Sequence, residues 1–288
     1  MIKQRGGCGN NGKADFFSTY RSTLYSLYYN KDLFDKKGIA YPTKITWDEY
    51  LDLARQLTYE EDGTQYWGGF MADWLSSPLS VYQRGSNLLG DDLAPVTEWV
   101  EILNTAINVD KSNMGFAQQK AESIDWLKFV YTGTAGMLIN GEWTISMLKD
   151  YAAQGIEIPN WDVTYLPAFD TTGDIVSPGG LSTFIAVGKN TKHPEEAFRF
   201  AQFIASEEAA VYLAGQGVLP AYSSDAVKES FAEACGVAGA TTLLDTTIAL
   251  ESPNVAGYTE VAAAFQEEKE MYLTQQETIE EFTNNMTE

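Results

Sequence analysis

YTGTAGMLINGEW, Tyr131 to Trp143, is the stretch on which the reading of this chain turns. Met137-Leu138-Ile139 is an apolar run long enough for one buried strand. Gly133, Gly136 and Gly141 interrupt it and let the backbone turn or approach a neighbour closely. A helix-like run follows from Trp143 to Ala153, with Ile145, Leu148 and Ala152 on one face. The stretch predicts a strand leaving a core, a turn at Asn140-Gly141, and then Glu142 and the indole of Trp143 at the head of a helix. Loops at the strand ends of an α/β sheet are where such folds bind ligands. The alternative is that Trp143 caps the core.

Upstream, Ser22–Tyr29 (STLYSLYY) is aromatic and apolar with partial alternation and predicts a strand. Thr46-Trp47-Asp48-Glu49 reads as a capping box, with Thr46 at the N-cap and Glu49 three residues on. The helix it opens runs to about Leu57 on a stripe of Tyr50, Leu51, Ala54 and Leu57. Glu60–Gly63 reads as a turn. Trp67–Trp74 (WGGFMADW) is either a core strand leading into a helix or a pocket wall, since aromatics beside the carboxylate of Asp73 suit a polyol.

Leu88–Asp92 reads as a turn, and Pro95 suits the first position of a helix reaching about Ala106. Ala117–Phe129 predicts one helix and Asp162–Pro167 a short strand. Ser177-Pro178-Gly179-Gly180 reads as a tight turn before a strand at Phe184–Val187. A helix is expected from His193-Pro194-Glu195-Glu196, and others over Val255–Tyr272 and Thr278–Phe282. His193 is the single histidine and, beside a proline at a helix start, reads as a surface residue.

The chain has 288 residues, enough for two domains, and its 44% hydrophobic content can build a sizeable core. A net charge of −21 argues against nucleic acid, whose phosphates need a basic surface, and disfavours anionic lipid. Cys8 and Cys235 are too few for a disulfide framework. Cys8, in RGGCGNNGK, looks like the mature start of a bacterial lipoprotein, but MIKQRGG before it has no apolar segment of a signal peptide. Residues 1–11 read as a flexible leader. No apolar run approaches 20 residues, so no membrane-spanning helix is expected. One histidine and two distant cysteines give no metal site, and no P-loop, HExxH or GxGxxG is present, so neither metal nor cofactor is expected.

Phe129, Gly133, Ala135, Met137, Gly141 and Trp143 resemble the F-x-x-G-x-A-A-M-x-x-x-G-x-W stretch of the family 1 extracellular solute-binding proteins, the sugar-binding components of ABC importers, with Gly136 where alanine is common. Residues 30–57, NKDLFDKKGIAYPTKITWDEYLDLARQL, are similar to a second segment of that family. Gly12-Lys13 with Tyr20-Arg21 is similar to a third, with Thr19 where proline is usual. KHPEEAFRFAQFIASEEAA, followed by Gly217 and Leu219-Pro220-Ala221, is similar to a fourth.

The resemblance implies an α/β, periplasmic-binding-protein-like type II fold of two lobes joined by crossing strands, and it implies a carbohydrate ligand and a membrane permease as partners. In that family the tryptophan matching Trp143 lies against a sugar ring, and a Gly-Gly pair matching Gly179-Gly180 lets bare backbone approach the ligand. The expected ligand-binding set is therefore Trp143, Glu142, Gly179, Gly180, Asp73, Trp74, Arg21 and Tyr258. The βαβ run that opens the family's first lobe has no counterpart before Gly12. The expectation is an incomplete N-terminal lobe, with 12–183 and 226–288 mainly C-terminal lobe and 184–225 returning to the partial N-terminal lobe. Phe198, Phe203 and Ile204 would then form an exposed apolar patch. The resemblance further implies a place on the extracellular face of a bacterial membrane and a role without catalysis. It leaves the sugar open, and the other readings are a fragment that binds nothing or a glycoside-acting enzyme.

Overall fold

One long strand ties the sheet together. In the computed structural model, which describes residues 17–75, 78–251 and 253–287, β1 runs over Phe17–Asn30, longer than the Ser22–Tyr29 expected. The leader 1–11, Cys8 and Gly12-Lys13 lie outside the described residues. The other strands are β2 (Tyr59–Glu61), β3 (Thr64–Met71), β4 (Ala135–Gly141), β5 (Trp161–Thr164), β6 (Val176–Ala186) and β7 (Thr247–Leu250). They form a seven-stranded mixed sheet in the order β2-β3-β4-β1-β6-β7, with β5 also paired to β1. The first half of β1 pairs with β6 and the second half with β4 and β5, all antiparallel. β3 with β4 and β6 with β7 run parallel.

The apolar runs of β1 and β4 explain why this sheet is covered on both sides. Successive side chains of a strand point to opposite faces. Leu27 and Tyr29 of β1 and Met137 and Ile139 of β4 enter one core. Leu24 and Tyr28 of β1 and Leu138 of β4 enter the other. A strand apolar at every position needs helices over both faces. The first core is closed by the helices Trp47–Leu57, Ala94–Asn104, Tyr258–Leu273 and Ile279–Asn285. The second is closed by Trp126–Thr132, Trp143–Ala153, Glu207–Ala214 and Asp225–Cys235. Each fully buried leucine or phenylalanine contributes about 1.5–3 kcal/mol relative to exposure, so these two faces dominate the stability.

Local signals hold where they carry a mechanism. At the head of Trp47–Leu57, the Glu49 amide donates to Thr46 Oγ1 (3.1 Å) and the Thr46 amide to Glu49 Oε2 (2.7 Å), closing the capping box. The turn after Glu61 uses Asp62 and Gly63 at φ 48° and 75°, as a two-residue hairpin requires. Three expectations are corrected. Ala117–Phe129 is not one helix: Phe116–Ala121 stops, Ser123 takes φ 51°, and the Asp125 carboxylate caps a second helix, Trp126–Thr132. Ser177–Gly180 is not a turn but the first part of β6, because Val176 to Gly179 pair with β7 and Gly179 and Gly180 with β1. Trp67–Trp74 leads from β3 into a turn at Asp73-Trp74 rather than into a helix.

The helix Pro194–Ile204 buries Ala201 but leaves Phe200 59% and Phe203 45% exposed, with Phe198 more than one-third exposed and Ile204 half-buried. With Tyr20, Phe184, Ile185, Ala186 and Leu213, Phe200 and Ile204 line an open hollow of about 410 Å³. Among the described residues no helix is long and apolar enough to cross a membrane.

Candidate functional site

The site begins where the parallel pair β3 and β4 ends. β4 closes at Gly141, Glu142 follows, and Trp143 opens the helix Trp143–Ala153. The indole folds back over the strand end: a methyl group on Gly141 would overlap the Trp143 ring. Gly141 is thus required by close packing of one side chain, not by its backbone angle. Trp143 stays half-buried and meets two other rings. Tyr25 of β1 stands edge-on to it, with centroids 6.3 Å apart at 80°, and Trp74 lies 6.1 Å away at 42°. Trp74, just beyond the end of β3, is 44% exposed. Tyr25, Trp143 and Trp74 make a continuous aromatic strip at the carboxyl ends of two parallel strands, the usual ligand position in open α/β sheets.

Beneath the strip lies an ion pair. Glu142 is 1% exposed. Its Oε1 accepts from Arg21 Nε (3.1 Å) and Arg21 Nη2 (2.9 Å), and its Oε2 accepts from Thr23 Oγ1 (2.8 Å). Burial pushes the Glu142 carboxyl above the usual glutamate value, and the Thr23 and Arg21 contacts only partly offset this. β1 delivers both partners: Arg21 sits at two register shifts against β6, and an irregularity of this kind re-aims a side chain. The Leu219-Pro220-Ala221 segment fixes the same point from the other edge, since the Ser22 amide donates to Leu219 O and the Ala221 amide to Tyr20 O, both at 3.1 Å. The Arg21 side chain remains 27% exposed.

Gly179 and Gly180 lie across from Leu24 and Thr23. A methyl group on Gly179 would collide with the Thr23 carbonyl, so β6 approaches β1 too closely for any side chain there. Gly180 has φ 147°, a conformation L side chains rarely adopt. Tyr258 is nearly buried, its hydroxyl donating to the Glu251 carbonyl (2.7 Å) and accepting from the Tyr82 hydroxyl. Tyr25 donates to Glu251 Oε1 at 3.2 Å, which ties the strip to this tyrosine pair. Burial, with Glu251 nearby, raises the Tyr25 phenol so far that it stays protonated. Asp73 is half-buried beside Trp74, and its backbone amide donates to Gln119 Oε1 at 3.0 Å.

Of the expected set, Trp143, Trp74, Arg21 and Glu142 come together, with Asp73 adjoining Trp74. Gly179 and Gly180 pack beside Thr23, and Tyr258 reaches the group only through Glu251 and Tyr25. Thr23, Tyr25, Tyr82 and Glu251 were not singled out from the sequence. Thr23 and Tyr25 had a signal, since they share a strand face with Arg21 at i+2 and i+4. Tyr82 and Glu251 had none. Chemically, the strip offers apolar faces to C–H groups and the guanidinium offers donors to hydroxyls or anions. Among the described residues no cluster of His, Cys, Asp or Glu can hold a metal ion.

The chain is similar to proteins of one kind. A binding protein of Brucella abortus is 24% identical over 250 residues, covering 82% of this chain, which spans 57% of that relative's length. A sugar transporter of Rhizobium etli, in an open conformation, superposes with a TM-score of 0.80 at 24% identity, over 94% of this chain and 71% of that one. An ABC substrate-binding protein of Listeria monocytogenes in complex with cycloalternan gives 0.73 at 22%, over 95% and 71%. These likenesses show the α/β periplasmic-binding-protein-like fold. The family described as bacterial extracellular solute-binding protein matches residues 10–211, more than half of the chain, and the chain belongs to that family.

Proposed function

We propose that this chain is part of the substrate-binding component of an ABC importer for a carbohydrate and binds sugar on the strip of Trp74, Trp143 and Tyr25. The observation that carries this reading is the partly exposed aromatic strip beside an arginine held by a buried carboxylate. The C–H face of a sugar ring packs on an aromatic face, and hydroxyls take up polar groups at its edge. Arg21 offers guanidinium donors there, and the Asp73 carboxylate is the nearest acceptor in sequence to Trp74. In this reading Glu142 orients Arg21, Gly179 and Gly180 shape the backbone beside Thr23, and Tyr258 backs the strip through Glu251. The Rhizobium etli and Listeria monocytogenes proteins named above, a sugar transporter and a substrate-binding protein holding cycloalternan, support a saccharide.

The partner is then a membrane permease and the place the outer side of a bacterial membrane, with the protein either free in the periplasm or lipid-anchored; tritiated palmitate labelling at Cys8 distinguishes the two. The same reading assigns 12–183 and 226–288 mainly to a C-terminal lobe and 184–225 to an N-terminal one. The exposed phenylalanines of Pro194–Ile204 are consistent with that division. Titration with mono- and oligosaccharides followed by calorimetry tests the reading. Saturable binding lost in both Trp143→Ala and Trp74→Ala is the expected result. No heat with any saccharide, or turnover of a chromogenic glycoside, would reject it for this chain.

A further inference from the structure

The segment that carries Trp74 is held through its backbone by three side chains, Gln119, Gln266 and Lys269. Gln119, 1% exposed, donates from Nε2 to Met71 O (3.0 Å) and Met114 O (2.9 Å) and accepts the Asp73 amide on Oε1 (3.0 Å). Gln266 Nε2 approaches Asp73 O at 3.4 Å, and Lys269 Nζ donates to Leu75 O at 3.3 Å. The backbone polar groups of Met71, Asp73 and Leu75 are thereby met from two helices, Phe116–Ala121 and Tyr258–Leu273. The Lys120–Glu270 ion pair at 2.6 Å locks those helices to each other.

Lys269 is an unusual choice for such a task. It is wholly buried, with Nζ 5.2 Å from the Phe116 ring centroid and 5.8 Å from that of Phe265. A lysine is almost never fully buried without a charge partner. The charged groups that face it are Asp73 on the held segment, Glu270 on its own helix and Lys120 on the neighbouring helix, and none forms an ion pair with it within the described residues. A packing role would be filled at lower cost by an apolar side chain. What the ammonium adds is a donor aimed at the backbone of the Trp74 segment.

We propose that Gln119, Gln266 and Lys269 are positioning residues that hold Met71–Leu75 so that the Trp74 indole stands beside Trp143 as part of a ligand-binding wall; this rests on the carbohydrate-binding reading above. The Tyr258–Leu273 helix, whose first residue meets Tyr82 and Glu251, then supports both ends of the aromatic strip.

Fluorine NMR of the full chain labelled with 5-fluorotryptophan tests this without any ligand. Trp74→Phe assigns the Trp74 resonance. Lys269→Met and Gln119→Leu are expected to shift and broaden that resonance while leaving the resonance of Trp161, buried in the other core, in place. Thr46→Ala, which weakens a distant helix cap, is expected to move neither. Burial lowers the Lys269 ammonium to about 7, so the Trp74 resonance of the unaltered protein is expected to titrate with a midpoint near that value, and Lys269→Met to abolish the titration. A Trp74 resonance of unchanged position and width in both variants overturns the proposal. If Lys269→Met does not fold, Gln119→Leu and the half-buried Gln266→Ala variant decide it by the same criterion. Adding saccharides separates the two claims. Binding weakened about tenfold, or ~1.4 kcal/mol, in the variants supports positioning. Binding by the unaltered protein with Trp74 unmoved in the variants overturns positioning and leaves sugar binding standing. No binding at all removes the sugar reading, and the ligand-free spectra still judge whether the cradle places Trp74.

Discussion

Arg21 and Glu142, 121 residues apart in sequence, meet at 2.9 and 3.1 Å in an ion pair whose acidic member is closed off from water and whose basic member is not. That asymmetry makes the two residues unequal. Removing the guanidinium strands a buried carboxylate, whereas removing the carboxylate lets Arg21 turn to solvent. Breaking a fully buried pair from one side costs about 3–5 kcal/mol. Arg21→Met is accordingly expected to lose about 3 kcal/mol in urea unfolding, and Glu142→Gln to stay within about 1 kcal/mol of the parent. Equal losses for both would refute the asymmetry.

The pH dependence of stability gives a second check on Glu142. Its folded value lies above the ordinary one, chiefly through burial. Between the unfolded and folded values the native state holds more protons, so stability falls as pH rises through that window. Glu142→Gln is expected to flatten this part of the stability profile, and urea midpoints measured upward from pH 4 would detect it. A profile that the substitution leaves unaltered would place the carboxylate in a better-solvated setting.

Lys269 has the opposite sign. Its folded value is depressed to about 7 while the unfolded chain titrates as an ordinary lysine. Above 7 the unfolded state binds more protons, so this group makes stability rise with pH up to the ordinary lysine range. Thermal unfolding of the parent and of Lys269→Met, compared across that window, should show a slope in the first that is absent in the second.

Gly141 and Gly179 look alike in sequence and differ in what limits them. At Gly141 the obstacle is the Trp143 ring; at Gly179 it is the Thr23 backbone. A ring can move and a strand cannot without breaking its ladder. Gly141→Ala is expected to cost about 1–2 kcal/mol and to displace the indole, with a change in tryptophan emission. Gly179→Ala should cost about 3 kcal/mol or more and lower the melting temperature with a smaller change in emission. The reverse order of melting temperatures would contradict the close approach of β6 to β1.

Much of the fold was legible because its signals are local. The capping box at Thr46 and Glu49 needs only three residues' separation, and the doubly apolar run at Met137–Ile139 already implies burial on two faces. The break at Ser123 was not legible, because residues 117–129 carry a helical composition and only the φ of one serine and the cap at Asp125 divide them. Ser177–Gly180 read as a turn because two glycines usually make one. They lie in a strand paired with β1, where the Thr23 carbonyl leaves Gly179 no room for a side chain and Gly180 takes φ 147°.

The sequence by itself determined the α/β class, the strand-to-helix passage at Gly141–Trp143 and the identity of its aromatic and charged residues, since these follow from periodicity and residue chemistry over short spans. The tertiary structure alone decided that Arg21 and Thr23 both end on Glu142, that Tyr25 rather than Tyr258 meets the Trp143 ring, and that Lys269 reaches the backbone beside Trp74. These pairings join residues more than 100 positions apart, and at such separations the register of a sheet and the packing of helices across it, not local preference, set which side chains meet.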